Sequence, residues 1–204
     1  MQTPHLGHTS WHPDLSSLCI GQRSKMYIFD TKWTYTYLSR ALLFLRALSR
    51  AKGKILFVST KPKYAPLVRF VAQTLGQSAF TSKWVGGTLT NWQQMHTNVS
   101  LTHSFLTKFG SFVEQNNVRF PKYIRSKRRF EYFSPEMPDA LIVLNPADNV
   151  LALREARALS LPVIAFVDSS TSLENITYPI PSNDDSTEWM YTVLDKIVQA
   201  MRLE

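Results

Sequence analysis

The sequence predicts an α/β protein built on a doubly wound, mainly parallel sheet with a helical and loop insertion. Three observations predict it. Short β-branched or aromatic runs alternate with longer stretches whose apolar residues recur every three or four positions, the pattern of strands followed by amphipathic helices. The apolar run within Lys54 to Ser59 is continuous, which suits a strand buried on both faces of a parallel sheet. The rhythm breaks once, between about Gln93 and Pro138, and then resumes.

Taken in order, Met26 to Phe29 reads as a strand. Residues 32 to 51 place Tyr35, Leu38, Leu42, Leu45 and Leu48 on one helical face, and Gly53 ends that helix. After the strand at 54 to 59, a helix from about Ala65 to Leu75 stops at Gly76, a common residue just past a helix. Ala140 to Leu144 (strand), Asn149 to Leu159 (helix) and Pro162 to Val167 (strand) repeat the unit. The last helix is expected from about Asp184 to Met201, capped by Ser182 or Asn183. Asp184, Asp185 and Glu188 would then lie where the helix dipole favours negative charge, and Trp189, Val193, Ile197 and Met201 would face inward. Such alternation implies right-handed crossovers and an open sheet covered on both sides. The expected division is one α/β domain, residues 1–92 and 139–204, interrupted by an insertion at 93–138. The insertion carries Phe105, Phe109 and Phe112 roughly on one helical face. Arg119, Lys122, Arg125, Lys127, Arg128 and Arg129 follow, interleaved with Phe120, Tyr123, Phe130, Tyr132 and Phe133.

At 204 residues and 44% hydrophobic content the chain can bury a sizeable core. A lone cysteine, Cys19, excludes an internal disulfide framework. No window approaches the run of about eighteen apolar residues that a membrane span needs. Residues 1–11 show neither an apolar signal core nor an arginine-rich amphipathic pattern, so an import signal is expected to have been removed or to be unneeded. The net charge of +8 is unevenly placed. No Asp or Glu occurs between Asp30 and Glu114; residues 1–135 hold 19 basic against 4 acidic groups (+15), and residues 136–204 hold 4 against 11 (−7). A lopsided basic surface suits a polyanion, because each Lys or Arg on a phosphate releases a counterion. Charge alone fits a solvated basic surface equally well.

Sites for chemistry are scarce. The segment after the second strand, Ser59-Thr60-Lys61-Pro62-Lys63, has no glycine-rich loop to wrap a pyrophosphate, and Gly86-Gly87 by itself marks a turn. His5, His8, His12 and Cys19 crowd the amino terminus without the paired spacing of a zinc site. Asp168 and the Asp184-Asp185 pair lie near element ends with no nucleophile and base set beside them. No catalytic residue, cofactor or metal is therefore expected. The basic and aromatic run at 119 to 129 is different, because it offers phosphate neutralisation together with flat faces for unpaired bases.

The segment Lys83-Trp84-Val85-Gly86-Gly87-Thr88-Leu89-Thr90-Asn91-Trp92 closely resembles the W-L-G-G-T-L-T-N signature of the bacterial-type small-subunit ribosomal protein two family. Other blocks resemble the family in the right order. His5-Leu6-Gly7-His8 with Trp11 and Pro13 is similar to its opening, and Lys54 to Lys61 to its K-I-L-F-V-G-T-K strand. Pro138 to Leu141, Arg154-Glu155-Ala156, Leu161 to Ala165 with Val167-Asp168, and Pro179-Ile180-Pro181 before Asn183-Asp184-Asp185 follow. The resemblance covers most of the chain outside the insertion. It implies a Rossmann-like, flavodoxin-like sheet with a projecting helical insertion, seated on small-subunit ribosomal RNA between head and body, with no catalytic activity.

The chain departs from the family in three places. Ser59 stands where the family has glycine, little precedes the His-Leu-Gly-His block, and the insertion lacks the charged heptads of the bacterial hairpin and is shorter. These features point to a mitochondrial ribosome, with a plastid or the bacterial cytoplasm as alternatives. They also put in doubt any docking of the large mRNA-binding ribosomal protein. The expected partners are small-subunit ribosomal RNA and neighbouring small-subunit proteins, with no membrane and no small-molecule substrate. The expected RNA contacts are Arg23, Lys25, Lys61, Lys63, Lys83, Trp84, Gly86, Gly87, Thr88 and Asn91, with Lys122, Arg125, Lys127, Arg128 and Arg129 from the cluster. Two other readings are a free-standing RNA chaperone or regulator and a nucleotide-using α/β enzyme. Sedimentation with the subunit separates the first, and ligand-dependent thermal stabilisation the second.

Overall fold

The computed structural model describes residues 4–115 and 130–202, apart from the side chains of residues 113–115. The expectations for Lys122, Arg125, Lys127, Arg128 and Arg129 lie outside the described residues. The chain opens with a 3-10 turn, Pro13–Leu18, and an antiparallel ribbon of β1 (Cys19–Arg23) and β2 (Met26–Phe29). Ser24 and Lys25 join the two strands with φ of 51° and 67°, the left-handed pair whose twist suits a two-residue hairpin. Then come α1 (Thr31–Arg50), β3 (Ile55–Val58), α2 (Ala65–Leu75), β4 (Ser78–Phe80) and α3 (Trp92–Gln115). They are followed by β5 (Ala140–Val143), α4 (Val150–Ala158), β6 (Val163–Val167), β7 (Tyr178–Pro181) and α5 (Thr187–Arg202).

The last five strands form one sheet in the order β4-β3-β5-β6-β7, and every neighbouring pair is parallel. Counted within that sheet the order is 2-1-3-4-5, the flavodoxin-like arrangement, and strand order reverses direction between β3 and β5. The doubly wound fold class read from the sequence is borne out. Ile55 and Phe57 on one face join Leu38, Ala41 and Leu45 of α1, Val68 and Val71 of α2, and Trp189, Val193 and Ile197 of α5. Leu56 and Val58 on the other face join Leu15, Leu18, Val99 of α3, and Ala152, Leu153 and Ala156 of α4. Complete burial of each large aliphatic or aromatic side chain contributes roughly 1.5–3 kcal/mol, so a strand buried on both faces is held far more firmly than the ribbon.

That contrast explains where the elements differ from expectation. Met26–Phe29 is a strand, but it pairs with β1 and, through a bridge from Leu6 to Ile28, with the amino-terminal segment, and it buries Phe29 alone; the five-stranded sheet begins at β3. β4 and β7 escaped the sequence pattern. β7 reads Tyr-Pro-Ile-Pro, and proline ordinarily argues against a strand. Here the Ser182 amide donates to the Val167 carbonyl, so Tyr178, Ile180 and Ser182 direct their N–H groups toward β6. Pro179 and Pro181 therefore face the open edge and remove two donors from it, which blunts edge pairing. α5 starts at Thr187, not Asp184. Ser186 caps it by accepting the Trp189 amide on Oγ at 3.4 Å and the Met190 amide on its carbonyl at 3.0 Å. α1 ends at Arg50, and Lys52 takes the left-handed conformation (φ 57°). Gly53 follows because a Cβ there would collide with Leu48.

Candidate nucleic-acid interface

The Trp84–Thr90 segment is built around a carboxylate contributed from α4. Glu155 Oε1 accepts the Trp84 indole N–H at 3.1 Å and the Gly87 amide at 2.9 Å. Its Oε2 accepts the Leu89 amide at 2.8 Å, the Thr90 amide at 3.2 Å and the Thr90 hydroxyl at 3.4 Å. The Thr88 hydroxyl donates to the Val85 carbonyl at 2.6 Å, closing the turn from within. Glu155 is buried, and a buried carboxylate is tolerable only when donors replace its hydration. Five donors on two oxygens meet that need, so loop and helix fix each other. Sequence reasoning did not single out Glu155 as a site residue. The available signal was a carboxylate between Ala152 and Ala156, on a face that must be buried.

The two glycines of the turn differ. Gly87 has φ +85°, a conformation open to glycine at little cost. Gly86 shows no such φ, and nothing lies within 4 Å of where its Cβ would stand. Trp84 and Thr88, expected at the RNA, are buried instead. Trp84 packs at 5.0 Å on Phe80, which together with its bond to Glu155 makes it part of the loop's foundation. Lys83, Gly86 and Asn91 remain exposed, and Gly87 is half-buried. Beside them an open groove of about 510 Å³ runs between the turn and α3, lined by the two glycines and by Asn91, Gln94, Met95, Asn98, Leu101 and Phe130 among others. Arg23 and Lys25 are exposed at the tip of the β1–β2 ribbon.

Lys61 and Lys63 have other partners than those expected of them. The Lys61 ammonium lies 3.0 Å from Asp184 Oδ2 and 2.9 Å from Asp185 Oδ1. Lys63 reaches Asp185 Oδ1 at 3.1 Å and its carbonyl at 2.9 Å. His8 Nε2 is 3.0 Å from Asp185 Oδ2, and the Tyr64 hydroxyl donates to the Asp184 carbonyl at 2.7 Å. Burial alone would lower the Lys61 pKa, but its bonds to Asp185 and Asp184 outweigh it and the net shift is upward. The bond from Lys61, with that from Lys63, holds Asp185 below the ordinary carboxylate range. Burial pushes Asp184 up in spite of Lys61. Ligand atoms of His8, Asp184 and Asp185 lie within 4.8 Å of one another, and Lys61 already supplies positive charge to both carboxylates there. Asp184 and Asp185 thus anchor lysines ahead of α5 and are not its first turn.

The crevice between β3 and β5, where a sheet of this order takes ligands, is bridged by side chains. Asn145 Nδ2 donates to Thr60 Oγ1 at 2.7 Å and to Asp148 Oδ2 at 2.9 Å, and Asn145 Oδ1 accepts the Thr60 amide at 3.2 Å. Asn149 Nδ2 adds bonds to Thr60 Oγ1 and to the Asn145 carbonyl. Both asparagines are completely buried.

Comparison with known proteins finds similarity along nearly the whole chain. The family model for ribosomal protein S2 matches residues 2–203. Small ribosomal subunit protein uS2m of Marchantia polymorpha is 32% identical over 208 residues, covering 98% of this chain and 87% of that protein. Small ribosomal subunit protein uS2 of Acinetobacter baylyi is 31% identical, covering 89% of this chain and 77% of its own length. Small ribosomal subunit protein uS2 of Acidiphilium cryptum is 30% identical, covering 97% and 80%.

Proposed function

Because the chain belongs to the ribosomal protein S2 family, we infer that it is a structural constituent of the small ribosomal subunit, binding ribosomal RNA and neighbouring subunit proteins during translation. The family match from residue 2 to residue 203 carries this reading. The uneven charge supports the RNA component, since the +15 of residues 1–135 is placed to neutralise phosphates. On this reading Arg23, Lys25, Lys83, Gly86, Gly87 and Asn91 lie on the RNA side. Trp84, Thr88 and Glu155 hold the loop from beneath, and Lys61 and Lys63 brace the carboxyl edge through their aspartates. Lys122, Arg125, Lys127, Arg128 and Arg129 keep their assignment on charge. Residues 1–92 and 139–204 act as one α/β body and 93–138 as its insertion.

No catalytic role is assigned. The bonds among Thr60, Asn145 and Asn149 in the sheet's ligand crevice support that reading. For location, the relative named uS2m favours a mitochondrial ribosome, and its bacterial counterparts are similarly close. Sedimentation of the native protein from fractionated organelles tests function and location together. The expected result is co-migration with the mitochondrial small subunit through a high-salt wash. A protein that stays at the top of the gradient would sink the structural reading in favour of a free RNA regulator.

A further inference from the structure

We propose that the groove between the Gly86–Gly87 turn and α3 is a pocket for one unpaired RNA nucleobase, read by Asn91, Gln94 and Asn98 over a floor of Met95 and Phe130. This rests on the RNA-binding reading above and names the site that would give it base preference. Asn91, Gln94 and Asn98 follow one another at spacings of three and four residues, so they share one face at the start of α3, and that face lines the groove. None of the three carboxamides makes a side-chain hydrogen bond among the described residues. Each offers both a donor and an acceptor, the combination presented by the edges of unstacked bases. Among the described residues none that lines the groove is charged. Among these residues a phosphate or a charged peptide finds no countercharge, whereas Lys83 is exposed two residues before Val85, which lines the groove.

The floor and the rim fit the same ligand. Met95 and Phe130 are buried and give an apolar base for the flat face of a ring, and stacking of this kind tolerates any base. The groove, at about 510 Å³, lies in the range of roughly 300–1,000 Å³ of small-ligand sites. Gly86 forms part of the rim. The fold makes no demand for glycine there, since its φ is ordinary and its missing Cβ would meet nothing. The space it leaves is therefore room for a molecule approaching from outside.

The test uses the full chain with labelled oligoadenylate, oligocytidylate and oligouridylate, and a fully paired RNA duplex of matched charge. Two variants are compared with the parent by fluorescence anisotropy: the triple change Asn91→Ala, Gln94→Ala, Asn98→Ala, and the single change Gly86→Val. All of these positions are exposed, so thermal unfolding should be unchanged, and this is checked first. The triple variant should weaken binding of its best single strand about tenfold or more, the size of one or two base-edge interactions. Duplex affinity and the salt slope should not change, because no charge is removed. Gly86→Val should reproduce the weakening by filling the rim. If both variants bind single strands like the parent, the groove reads no base. Equal weakening for strand and duplex would also overturn the proposal, because the protein would then be touching the backbone. A parent chain that binds neither RNA and fails to sediment with the subunit would instead bring down the RNA-binding reading itself.

Discussion

Glu155 accepts hydrogen bonds from groups 65 to 71 residues away in sequence. Replacing it by alanine would leave the Trp84 indole and the Leu89 amide buried without acceptors, at about 1–3 kcal/mol for each orphaned group. With two fully buried donors and three more partly buried, Glu155→Ala should cost about 3–5 kcal/mol. For a chain of this length that corresponds to a fall of about 6–20 °C in Tm. Glu155→Gln keeps the volume and one acceptor oxygen but turns an amide N–H₂ toward the loop's donors, so its effect should be intermediate. Thermal melts followed by circular dichroism decide the matter. An alanine variant melting within about 2 °C of the parent would mean that the carboxylate does not hold the loop. The loop motif was legible in the sequence because its residues are contiguous. Its acceptor was not, since nothing local announces a partner on the far side of the insertion.

Among the elements, the strands and helices that bury a continuous apolar face were legible. α2 occupies the expected residues, and β3, β5, β6 and α4 fall within a residue or so of expectation. β1, β4 and β7 depend on partners for their existence, and three to five residues carry too little periodicity to reveal them. The start of α5 was misplaced for a related reason: acidic residues ahead of a helix suit its dipole, but here Asp184 and Asp185 turn to Lys61 and Lys63. These ion pairs tie stability to pH. Asp185, held below its ordinary pKa chiefly by its bond from Lys61, contributes stability that is present above the unfolded carboxylate value near about 4. That stability disappears as pH falls through the lower folded value. Asp184, pushed up by burial, works in the opposite sense and offsets part of it. Asp185→Asn should therefore lower Tm at neutral pH, and its difference from the parent should shrink as pH drops below about 4. A difference of constant size from about pH 7 to about pH 3 would show that the Asp185 charge contributes nothing to the fold.

Over the whole molecule, the excess positive charge is not uniformly available. Lys61 and Lys63 are met by aspartates, whereas Arg23, Lys25 and Lys83 are exposed without an ion pair among the described residues. Both groups look alike in a charge count, and only the fold separates them: the carboxyl ends of β3 and β7 bring 61 to 63 and 184 to 185 together. Salt dependence of RNA binding should register the difference. Affinity of the full chain for a small-subunit RNA fragment should fall roughly tenfold for every two phosphates it neutralises as salt rises about fourfold. Changing Arg23, Lys25 and Lys83 to glutamine should reduce the slope of that dependence by about 1 for each phosphate no longer neutralised, while Tm holds, because exposed charges add little to folding. Lys61→Gln should do the reverse, leaving the slope in place and lowering Tm by leaving Asp184 buried without its cation. If Lys61→Gln reduces the slope as the triple change does, then RNA draws this lysine away from its aspartates on binding. The carboxyl edge of the sheet would then belong to the interface.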